Sequence, residues 1–575
     1  MAIKTLLTRP LKKGIKRVLI SLGLSADQES ALPNSLESYW ATILSRDAVR
    51  WKSACAAAKT GPSVLIASNT SMNSIATVFN SMLAVALTLR GAQVHVLRCD
   101  EALPACGASV IDGIQPEEMA NFGPSRRLCG TCFAPSYKLF RSFGLPVHRY
   151  SDFISHEEMQ RARNLSSALP VDEIPQYRLD GVGVGEQAAA GAVRYYLRGN
   201  LKGETHGEAV LRRYFNASLL TAFATHRLLQ DFSFSCMCAI DGMYVPTGTI
   251  SEVARQRQVR VVNWSPAYRK HTFVFSHHNT YHQTMLSEPT ACWENMTWTP
   301  EMEAEIMDYL NSRWYGTRDW IGYNQNPQDD ISHIAAELGV DFSKPCVGLL
   351  TNIMWEAQLF YNANAFQSML EWTLQSIRYF ADRPDLQLIV RVHPAEVHGS
   401  QRSRQLMVDE IARAFPVLPK NVFIIPPESP ISTYVTMSKC DAVIIYGTQA
   451  GVEMTSMGIP VIVAGESWVR NKGVSMDANS PEEYFGFLDR LPLKERLSEA
   501  VIQRARKYAY HFFFRRMIPL PFMEPTGTWP PYEIKVSTID DLSPGRTAGL
   551  DVICDGILNG GEFLYPAELN LGKLF

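Results

Sequence analysis

Short apolar runs alternate with helical patterns through residues 345–490. The runs have the length of strands and are bounded by turn residues, as expected for strands covered on both faces of a parallel sheet. Because a helical pattern follows each run, this sheet should be doubly wound. The predicted strands span residues 347–351, 386–392, 422–425, 442–446 and 461–464.

A second α/β unit is predicted in the N-terminal half. Residues 64–97 read as a strand, a helix and a strand, and residues 232–240 form another apolar run. That run is followed by a loop containing Gly242 and Pro246. Loops after the strands of α/β proteins commonly carry reactive or binding groups. The fold class is therefore α/β, with two doubly wound domains.

Changes in pattern and composition place the domain boundaries. An acidic helical pattern after Pro300 suggests a linker between the two domains, and the aromatic run 508–514 is too apolar for an isolated helix. We expect that last region to pack back on the N-terminal domain. The predicted divisions are a basic amphipathic helix at 1–30, an N-terminal acceptor domain at 31–295, a linker at 296–345, a C-terminal nucleotide-donor domain at 346–500 and a returning helix and tail at 501–575.

The composition is that of a globular protein. Of the 575 residues, 46% are hydrophobic and 19% are charged, and the formal net charge is −2, which gives no indication of nucleic-acid binding. No apolar stretch is long enough to span a bilayer and no signal peptide is visible, so a cytoplasmic location is expected. Six Lys and Arg side chains precede the first acidic residue, Asp27. This basic segment could lie on the anionic inner membrane surface or dock on the protein itself.

Four cysteines lie close together in a segment rich in glycine and proline, the Cys-rich insertion at 99–132. Cys99, Cys106, Cys129 and Cys132 have a loose first spacing and a C-x2-C second pair. Four thiolates in such a loop suit a structural zinc site, whereas scattered free thiols are the alternative. A site with four protein ligands would staple the loop and leave no open position for catalysis.

The loop after the predicted strand 442–446 is a candidate phosphate site. Gly447 and Thr448 open a helix, and free backbone N–H groups at a helix start attract anions. Glu453 follows in that helix, where its carboxylate could accept hydrogen bonds from a ribose or could simply complement the helix dipole.

Basic side chains should converge on the same edge of the sheet. Arg391 and His393 are two residues apart at a strand end and therefore share a face. They could hold a diphosphate, or Arg391 could instead pair with Glu396. Ser429 and Lys472 follow the neighbouring strands and are expected at this edge as well.

The acceptor side is less defined. Asp241 follows the run 232–240, and His282 closes a segment with four histidines. The histidine spacing lacks a carboxylate or cysteine partner at a metal-ligand distance, so a catalytic metal is not expected. Asp241 and His282 are the candidates for the acid or base that activates an acceptor hydroxyl, with His393 as a further catalytic candidate.

Taken together, these motifs resemble those of bacterial capsule polysaccharide biosynthesis proteins, which are similar to the glycerophosphotransferases of teichoic acid synthesis. The resemblance rests on RVHP at 391–394, on D-A-V-I-I-x-G-T-x-x-G-x-E-x4-G-x-P-V-I at 441–462 and on Lys472-Gly473. It is strongest over 345–490 and weaker over 230–290. Where it leads us to expect His-Gly, this chain has Asp241-Gly242.

The resemblance implies a GT-B architecture, in which two Rossmann-like domains face a central cleft. It also implies a metal-independent glycosyltransferase that uses a nucleotide sugar as donor and a glycan or glycolipid as acceptor, with no cofactor required for the chemistry. The donor site would comprise Arg391, His393, Thr448, Glu453 and Lys472. A CDP-glycerol-type glycerophosphotransferase and a non-catalytic glycan-assembly protein with the same fold are the alternatives.

Overall fold

The structure is a computed structural model, in which residues 32–69, 74–320, 322–323, 326–356, 365–399, 401–526 and 532–572 are described. The basic N-terminal helix expected at 1–30 lies outside the described residues. The chain forms two β-sheets, each flanked by helices, and a two-stranded ribbon.

The N-terminal sheet has the strand order β13-β6-β5-β4-β1-β2-β3. Strands β1 to β5 run parallel, whereas β6 is antiparallel to β5. The five parallel strands, with β3 at one edge, are therefore Rossmann-like, and the antiparallel strands β6 and β13 (Ile518–Pro519) extend the sheet at the other edge. These strands are β1 (Ser63–Ala67), β2 (Gln93–Arg98), β3 (Val147–Arg149), β4 (Cys236–Ile240), β5 (Arg260–Pro266) and β6 (Thr272–His277).

Helices cover both faces of this sheet, because β1 and β4 are largely apolar and buried and β2, although it contains polar side chains, is buried over five of its six residues. The predicted strand 232–240 begins only at Cys236, since the preceding helix continues to Asp231. The helices are α1 (Leu32–Arg46), α2 (Ala48–Ala58), α3 (Ser74–Leu89), α4 (Ala108–Ile111), α5 (Pro116–Asn121), α6 (Arg126–Ser142), α7 (His156–Ala168), α8 (Val184–Tyr196), α9 (Gly207–Asp231), α10 (Thr249–Gln256), α11 (Tyr281–Ser287) and α12 (Ala291–Glu294).

Two helices connect the domains. The first, α13 (Pro300–Arg313), begins at Thr299, whose side chain accepts a hydrogen bond from the backbone N–H of Met302, and has proline at its first position. The second, α14 (Ile331–Leu338), is capped by Asp330 and leads into the C-terminal sheet.

The C-terminal sheet is entirely parallel and has the order β12-β11-β10-β7-β8-β9. The doubly wound arrangement predicted from the alternating pattern is confirmed. Its strands are β7 (Cys346–Leu350), β8 (Gln387–Arg391), β9 (Val422–Ile425), β10 (Ala442–Ile445), β11 (Val461–Val463) and β12 (Met476–Asp477). Its helices are α15 (Met369–Ala381), α16 (Ala395–His398), α17 (Met407–Ala414), α18 (Thr433–Ser438), α19 (Ala450–Ser456) and α20 (Pro481–Leu488).

The C-terminal region joins both domains. Helix α21 (Glu499–Tyr510) packs against α19 of the second domain and against α13, and β13 (Ile518–Pro519) then pairs with β6 at the edge of the N-terminal sheet. The ribbon β14 (Met523–Pro525) and β15 (Tyr532–Ile534) and helix α22 (Ala548–Asn559) follow. The aromatic side chains of Tyr508, Phe512 and Phe513 are buried in this junction, which ties the two domains together.

Candidate active site

A cavity of about 440 Å³ lies between the two domains. Residues at the carboxyl ends of β4, β7, β8 and β10 line it, and α13 contributes from the side. This is the edge at which parallel α/β sheets bind ligands. The cavity brings together Asp241, Arg313, Glu356, His393 and Glu453.

Glu453 projects from α19 into this cavity and is almost fully buried. Its Oε1 accepts hydrogen bonds from Nε of Arg313 at 3.1 Å and from Nε2 of Gln449 at 3.1 Å. In the described part of the chain, its Oε2 is buried without a hydrogen-bond partner. A buried acceptor without a hydrogen bond destabilises the protein, and a ligand hydroxyl or N–H that donates to it would remove this cost.

Arg313, which the sequence reasoning missed, is the last residue of α13. Its Nη1 donates to the hydroxyl of Tyr309 at 3.1 Å and forms an ion pair with Asp319. The guanidinium also lies 5.2 Å from the ring centre of Phe513. Burial alone would lower the pKa of Arg313, but the negative charges of Glu453 and Asp319 help to raise it. A basic residue at a helix C-terminus is usually interpreted as complementing the helix dipole, so the sequence pattern did not indicate this role.

His393 lies at the end of β8 and lines the cavity. The backbone N–H of Ala395 donates to its Nδ1 at 3.1 Å, and the ring meets Tyr323 edge-on at 5.5 Å between ring centres. Burial, together with the nearby Arg391 cation, lowers the pKa of His393 to about 4. The ring is therefore neutral near pH 7 and carries its proton on Nε2, which makes it a donor.

Arg391 donates hydrogen bonds to residues that follow β9. Its Nη1 donates to the carbonyl of Pro426 at 2.7 Å, its Nη2 to the carbonyl of Ser429 at 3.2 Å, and its Nε to the hydroxyl of Thr433 at 3.2 Å. Burial lowers its pKa to about 10. The guanidinium thus holds the loop after β9. Arg391 also lines the cavity, and its role in binding a diphosphate stays a prediction. The alternative ion pair with Glu396 is not formed, because that carboxylate accepts from the backbone N–H of Met407 at 3.1 Å.

Two predicted donor-site residues lie away from the cavity. Neither Ser429 nor Lys472 lines the cavity as the described residues define it. Lys472 is buried, and its Nζ donates to the carbonyls of Glu288 at 3.3 Å and Leu286 at 3.5 Å. This cation therefore joins the second domain to residues 286–288, because the chain turns inward after β11 instead of following the sheet edge.

Gly447 and Thr448 do line the cavity, as expected from their place after β10. The hydroxyl of Thr448 accepts from the backbone N–H of Ala450 at 3.3 Å, and its carbonyl accepts from Ser467 at 2.9 Å. These contacts fix the loop between β10 and α19. The structure therefore places Gly447, Thr448, Glu453 and His393 in the lining of the same cavity.

Asp241 stands at the opposite side, in a loop with an unusual backbone. Asp241, Gly242 and Tyr244 all have φ between +58° and +70°, a region that non-glycine residues rarely adopt. Such conformations cluster at functional sites. The Asp241 side chain accepts a hydrogen bond from the hydroxyl of Ser265, and burial raises its pKa.

Arg194 and Glu356 complete this side, and neither was selected from the sequence as a catalytic candidate. Arg194 donates to the hydroxyl of Tyr244 at 3.1 Å, and its guanidinium lies 5.5 Å from the ring centre of Trp355. Glu356 is exposed to the cleft yet surrounded by protein atoms, and this desolvation raises its pKa, with a further contribution from the charge of Asp241. The positive charge of Arg194 opposes both shifts. The sequence pattern only weakly indicated a functional role for Arg194, because its position is typical of an arginine on a helix surface.

His282 lies on the cavity wall, but its ring is only slightly exposed. Its Nδ1 accepts from the indole N–H of Trp468 at 2.9 Å, and its Nε2 lies 3.6 Å from Glu466. Burial lowers its pKa. These contacts make His282 a bridge between α11 and the loop after β11, and they leave it poorly placed as the acid or base proposed from the sequence.

Aromatic side chains form much of the remaining wall. Trp314 and Tyr434 stack at 5.7 Å with nearly parallel rings. Flat apolar faces beside a few polar groups are typical of small-molecule sites. The aromatic lining residues are Tyr244, Tyr268, Tyr281, Trp314, Tyr323, Tyr434, Tyr446 and Trp468.

The Cys-rich insertion folds outside this cavity. Burial is the main cause that raises the pKa of Cys99 to about 12 and that of Cys129 to about 11. Within the ranges that the structure describes, no group of three or more potential ligands is close enough to hold a metal ion. The zinc site at Cys99, Cys106, Cys129 and Cys132 therefore stays a prediction, without support from this geometry.

Residues 358–510 match the sequence model of the family described as "Capsule polysaccharide biosynthesis protein". The resemblance drawn from the motifs is confirmed over this segment. The match includes His393, the loop at 447–448 and Glu453, so it covers cavity-lining residues of the second domain and not Asp241. The matched segment covers most of the second domain and the start of the C-terminal region, about a quarter of the chain.

Solved structures with a similar fold include Thermosulfurimonas dismutans KpsC, a beta Kdo 2,4 transferase, at 13% identity and a TM-score of 0.31 over 48% of this chain and 79% of that one. Another is S. aureus MnaA in a co-structure with UDP, at 10% identity and a TM-score of 0.28 over 78% and 91%. Values this low carry no functional information about this chain. No curated protein matches it. Among the described residues, no helix combines the length and apolar character needed to cross a bilayer.

Proposed function

We propose that this protein is a glycosyltransferase that moves a sugar from a nucleotide-activated donor to a capsule-type polysaccharide or glycolipid acceptor. One observation carries the proposal. A single interdomain cavity has an unsatisfied acceptor and a neutral donor, Glu453 and His393, at one side and two carboxyl groups with raised pKa values, Asp241 and Glu356, at the other. The family match over 358–510 supports the nucleotide end of this assignment.

The donor would bind to the second domain. Oε2 of Glu453 can accept from the hydroxyls of a ribose, which removes the cost of a buried, unpaired oxygen. The donor's phosphates would lie near His393 and the backbone N–H groups of the loop at 447–448. These fixed donors would stabilise the charge that the leaving phosphate gains in the transition state. The proposed mechanism needs no metal for this step, because the protein itself provides the hydrogen-bond donors.

The acceptor would approach from the N-terminal domain. Asp241 is the proposed base: it takes the proton from the acceptor hydroxyl as that oxygen bonds to the anomeric carbon. The bond from that carbon to the phosphate oxygen breaks, and the nucleotide leaves with the electron pair. Arg194 is within charge-interaction range of Asp241 and Glu356 and favours their ionised forms. Without it, two desolvated carboxyl groups near each other would tend to stay protonated.

The aromatic walls suit the sugar parts of both substrates. Tyr268 and Tyr281 both pack against Trp468, and all three rings line the cavity. Bringing the domains around both substrates would exclude water and so favour transfer over hydrolysis. We also propose that the protein works on the cytoplasmic side of the membrane, where its basic N-terminal segment could contact anionic lipids.

A panel of UDP-, GDP-, CMP- and CDP-sugars and CDP-alcohols tests this function. Each compound is incubated with the full-length protein, and donor hydrolysis is followed by mass spectrometry. Hydrolysis of a nucleotide sugar that disappears in Asp241→Asn and Glu453→Gln variants is the expected result. Hydrolysis of a CDP-alcohol alone would favour a glycerophosphotransferase, and absence of both hydrolysis and nucleotide binding would overturn the proposal in favour of an assembly role.

A further inference from the structure

We propose that Arg313 is a positioning residue for the nucleotide donor and acts by holding the carboxylate of Glu453 in its binding orientation. The inference rests on the proposed function, because it concerns the same donor site. Arg313 belongs to the interdomain helix α13, and Glu453 belongs to α19 of the second domain. The donor site would therefore be completed by a residue from outside the donor domain.

The two carboxylate oxygens of Glu453 have different surroundings. Oε1 accepts from Nε of Arg313 at 3.1 Å and from Nε2 of Gln449 at 3.1 Å. The hydroxyl of Tyr434 also interacts with this carboxylate, and burial together with that interaction raises the pKa of Tyr434. Oε2 makes no hydrogen bond of ordinary length within the described structure and lies in a residue that lines the cavity. The arrangement fixes the carboxylate through one oxygen and leaves the other for a ligand. Gln449 and Glu453 are four residues apart, so Gln449 supports the orientation within the same segment. Arg313 adds a positive charge, and among the described residues no other cation forms an ion pair with Glu453.

Arg313 is itself held rigidly. Its second contact is the ion pair with Asp319, and the hydroxyl of Tyr309 bonds to both members of that pair. The guanidinium lies against the rings of Tyr268, at 5.6 Å, and Phe513, at 5.2 Å. The side chain of Arg313 is only 11% exposed, so it cannot swing into solvent at low cost.

The charges of this cluster balance. Arg269, which is 3% exposed, interacts electrostatically with Asp319 and lies 4.5 Å from the ring centre of Phe514. Two cations, Arg313 and Arg269, thus face two carboxylates, Asp319 and Glu453. Removing one member leaves a buried charge uncompensated, which is costly. The chain of contacts runs from the donor site through the linker to Arg269 beside β5, so the orientation of Glu453 depends on the interdomain junction.

A double-mutant cycle tests the inference. Nucleotide affinity is measured by isothermal titration calorimetry for wild type, Arg313→Met, Glu453→Gln and the double variant, with the nucleotide of whichever donor the wild type hydrolyses. Each single change should weaken binding by roughly 10- to 100-fold, the effect of losing a hydrogen bond to a charged group. The double variant should be no weaker than Glu453→Gln alone, because Arg313 acts only through that carboxylate. Arg313→Lys should restore part of the affinity.

A matched control separates positioning from general damage. Arg318→Met removes a cation from the same linker, but its ion pair with Asp308 is exposed, so affinity should stay within about twofold of wild type. Melting temperatures identify any variant that does not fold, and Glu453→Gln and Arg313→Lys keep the comparison available if Arg313→Met does not. Wild type that binds no nucleotide would sink the proposed function itself. Binding by wild type with an undiminished affinity in Arg313→Met, or with additive losses in the cycle, would overturn the role of Arg313 alone.

Discussion

The backbone N–H of Ala395 donates to Nδ1 of His393 at 3.1 Å, and this hydrogen bond fixes which ring nitrogen carries the proton. Nδ1 must be an acceptor, so the proton lies on Nε2. Because burial and the Arg391 cation lower the pKa of His393 to about 4, the ring keeps this form throughout the neutral range. His393 thus offers the cavity a neutral hydrogen-bond donor and not a positive charge.

Amide substitutions of His393 test this donor role. The side-chain amide of glutamine reaches the position of Nε2, whereas that of asparagine reaches only the position of Nδ1. His393→Gln should therefore retain part of the transfer activity, and His393→Asn should lose roughly 100- to 1000-fold in kcat, as for loss of an oxyanion donor. Equal losses in both variants, with intact melting temperatures, would contradict a role for Nε2–H.

The pH dependence of the transfer rate should change when Arg194 is replaced. Asp241 acts in its ionised form, and the Arg194 cation lowers the pKa of Asp241 and of Glu356 against the opposing effect of burial. Removing the cation in Arg194→Met should therefore raise both pKa values and move the acid limb of the kcat/KM profile to higher pH.

Rate profiles from pH 5 to 9 check this shift. Arg149→Met is the control, because it removes an exposed arginine that pairs only with Asp152 near the surface, and its profile should match wild type. Asp241→Asn should remove activity at every pH. An acid limb that stays in place in Arg194→Met would show that these carboxyl groups do not set the rate.

Local patterns were sufficient to predict the elements that surround the site. The strands β7 to β11 were recognisable because each is a short buried run bounded by turn residues, and their carboxyl ends placed His393, Thr448 and Glu453 at one edge. These predictions need only the alternation of strand and helix and the geometry of a parallel sheet.

The hydrogen-bond partners of these side chains come from distant parts of the chain, so they could not be predicted from the sequence. Arg391 shares a strand end with His393, yet the carbonyls of Pro426 and Ser429 occupy its guanidinium. Arg313 reaches Glu453 across 140 positions of sequence. The local periodicity of the sequence does not indicate such a contact, because the contact depends on how α13 packs on the second domain.

Lys472 provides a direct test of one corrected assignment. Its Nζ bonds to the carbonyls of Leu286 and Glu288, and burial lowers its pKa. Lys472→Met should leave nucleotide affinity within about twofold of wild type while lowering the melting temperature by a few degrees, since the buried carbonyl of Glu288 and the partly buried carbonyl of Leu286 lose this donor. Calorimetric titration and thermal unfolding measure both quantities. A folded variant with a more than tenfold loss of affinity would return Lys472 to the donor site.

Glu288 should make the free energy of unfolding fall at low pH, because it forms a buried cluster with His511 and Arg516. His511 Nε2 lies 2.9 Å from its Oε2, and Nε of Arg516 donates to its Oε1 at 3.0 Å. Although burial opposes it, these partners lower the pKa of Glu288 to about 2. The folded pKa lies below the unfolded value, so this stabilisation is fully present above about pH 4.5 and is lost as pH falls towards 2.

Glu288→Gln keeps the shape of this side chain but leaves Arg516 as a buried cation without its anion. The free energy of unfolding at pH 7 should fall by about 3–5 kcal/mol, the usual cost of breaking a buried ion pair. Urea titrations at pH 7 and pH 3.5 measure it, and the difference between wild type and variant should shrink at the lower pH, because the wild-type carboxylate has then lost part of its contribution. Asp540→Asn, which removes exposed pairs with Arg50 and Arg546, should leave the free energy of unfolding close to that of wild type at either pH. A Glu288→Gln effect as small as that control, or one that does not change with pH, would show that the buried cluster does not stabilise the junction through the charge of Glu288.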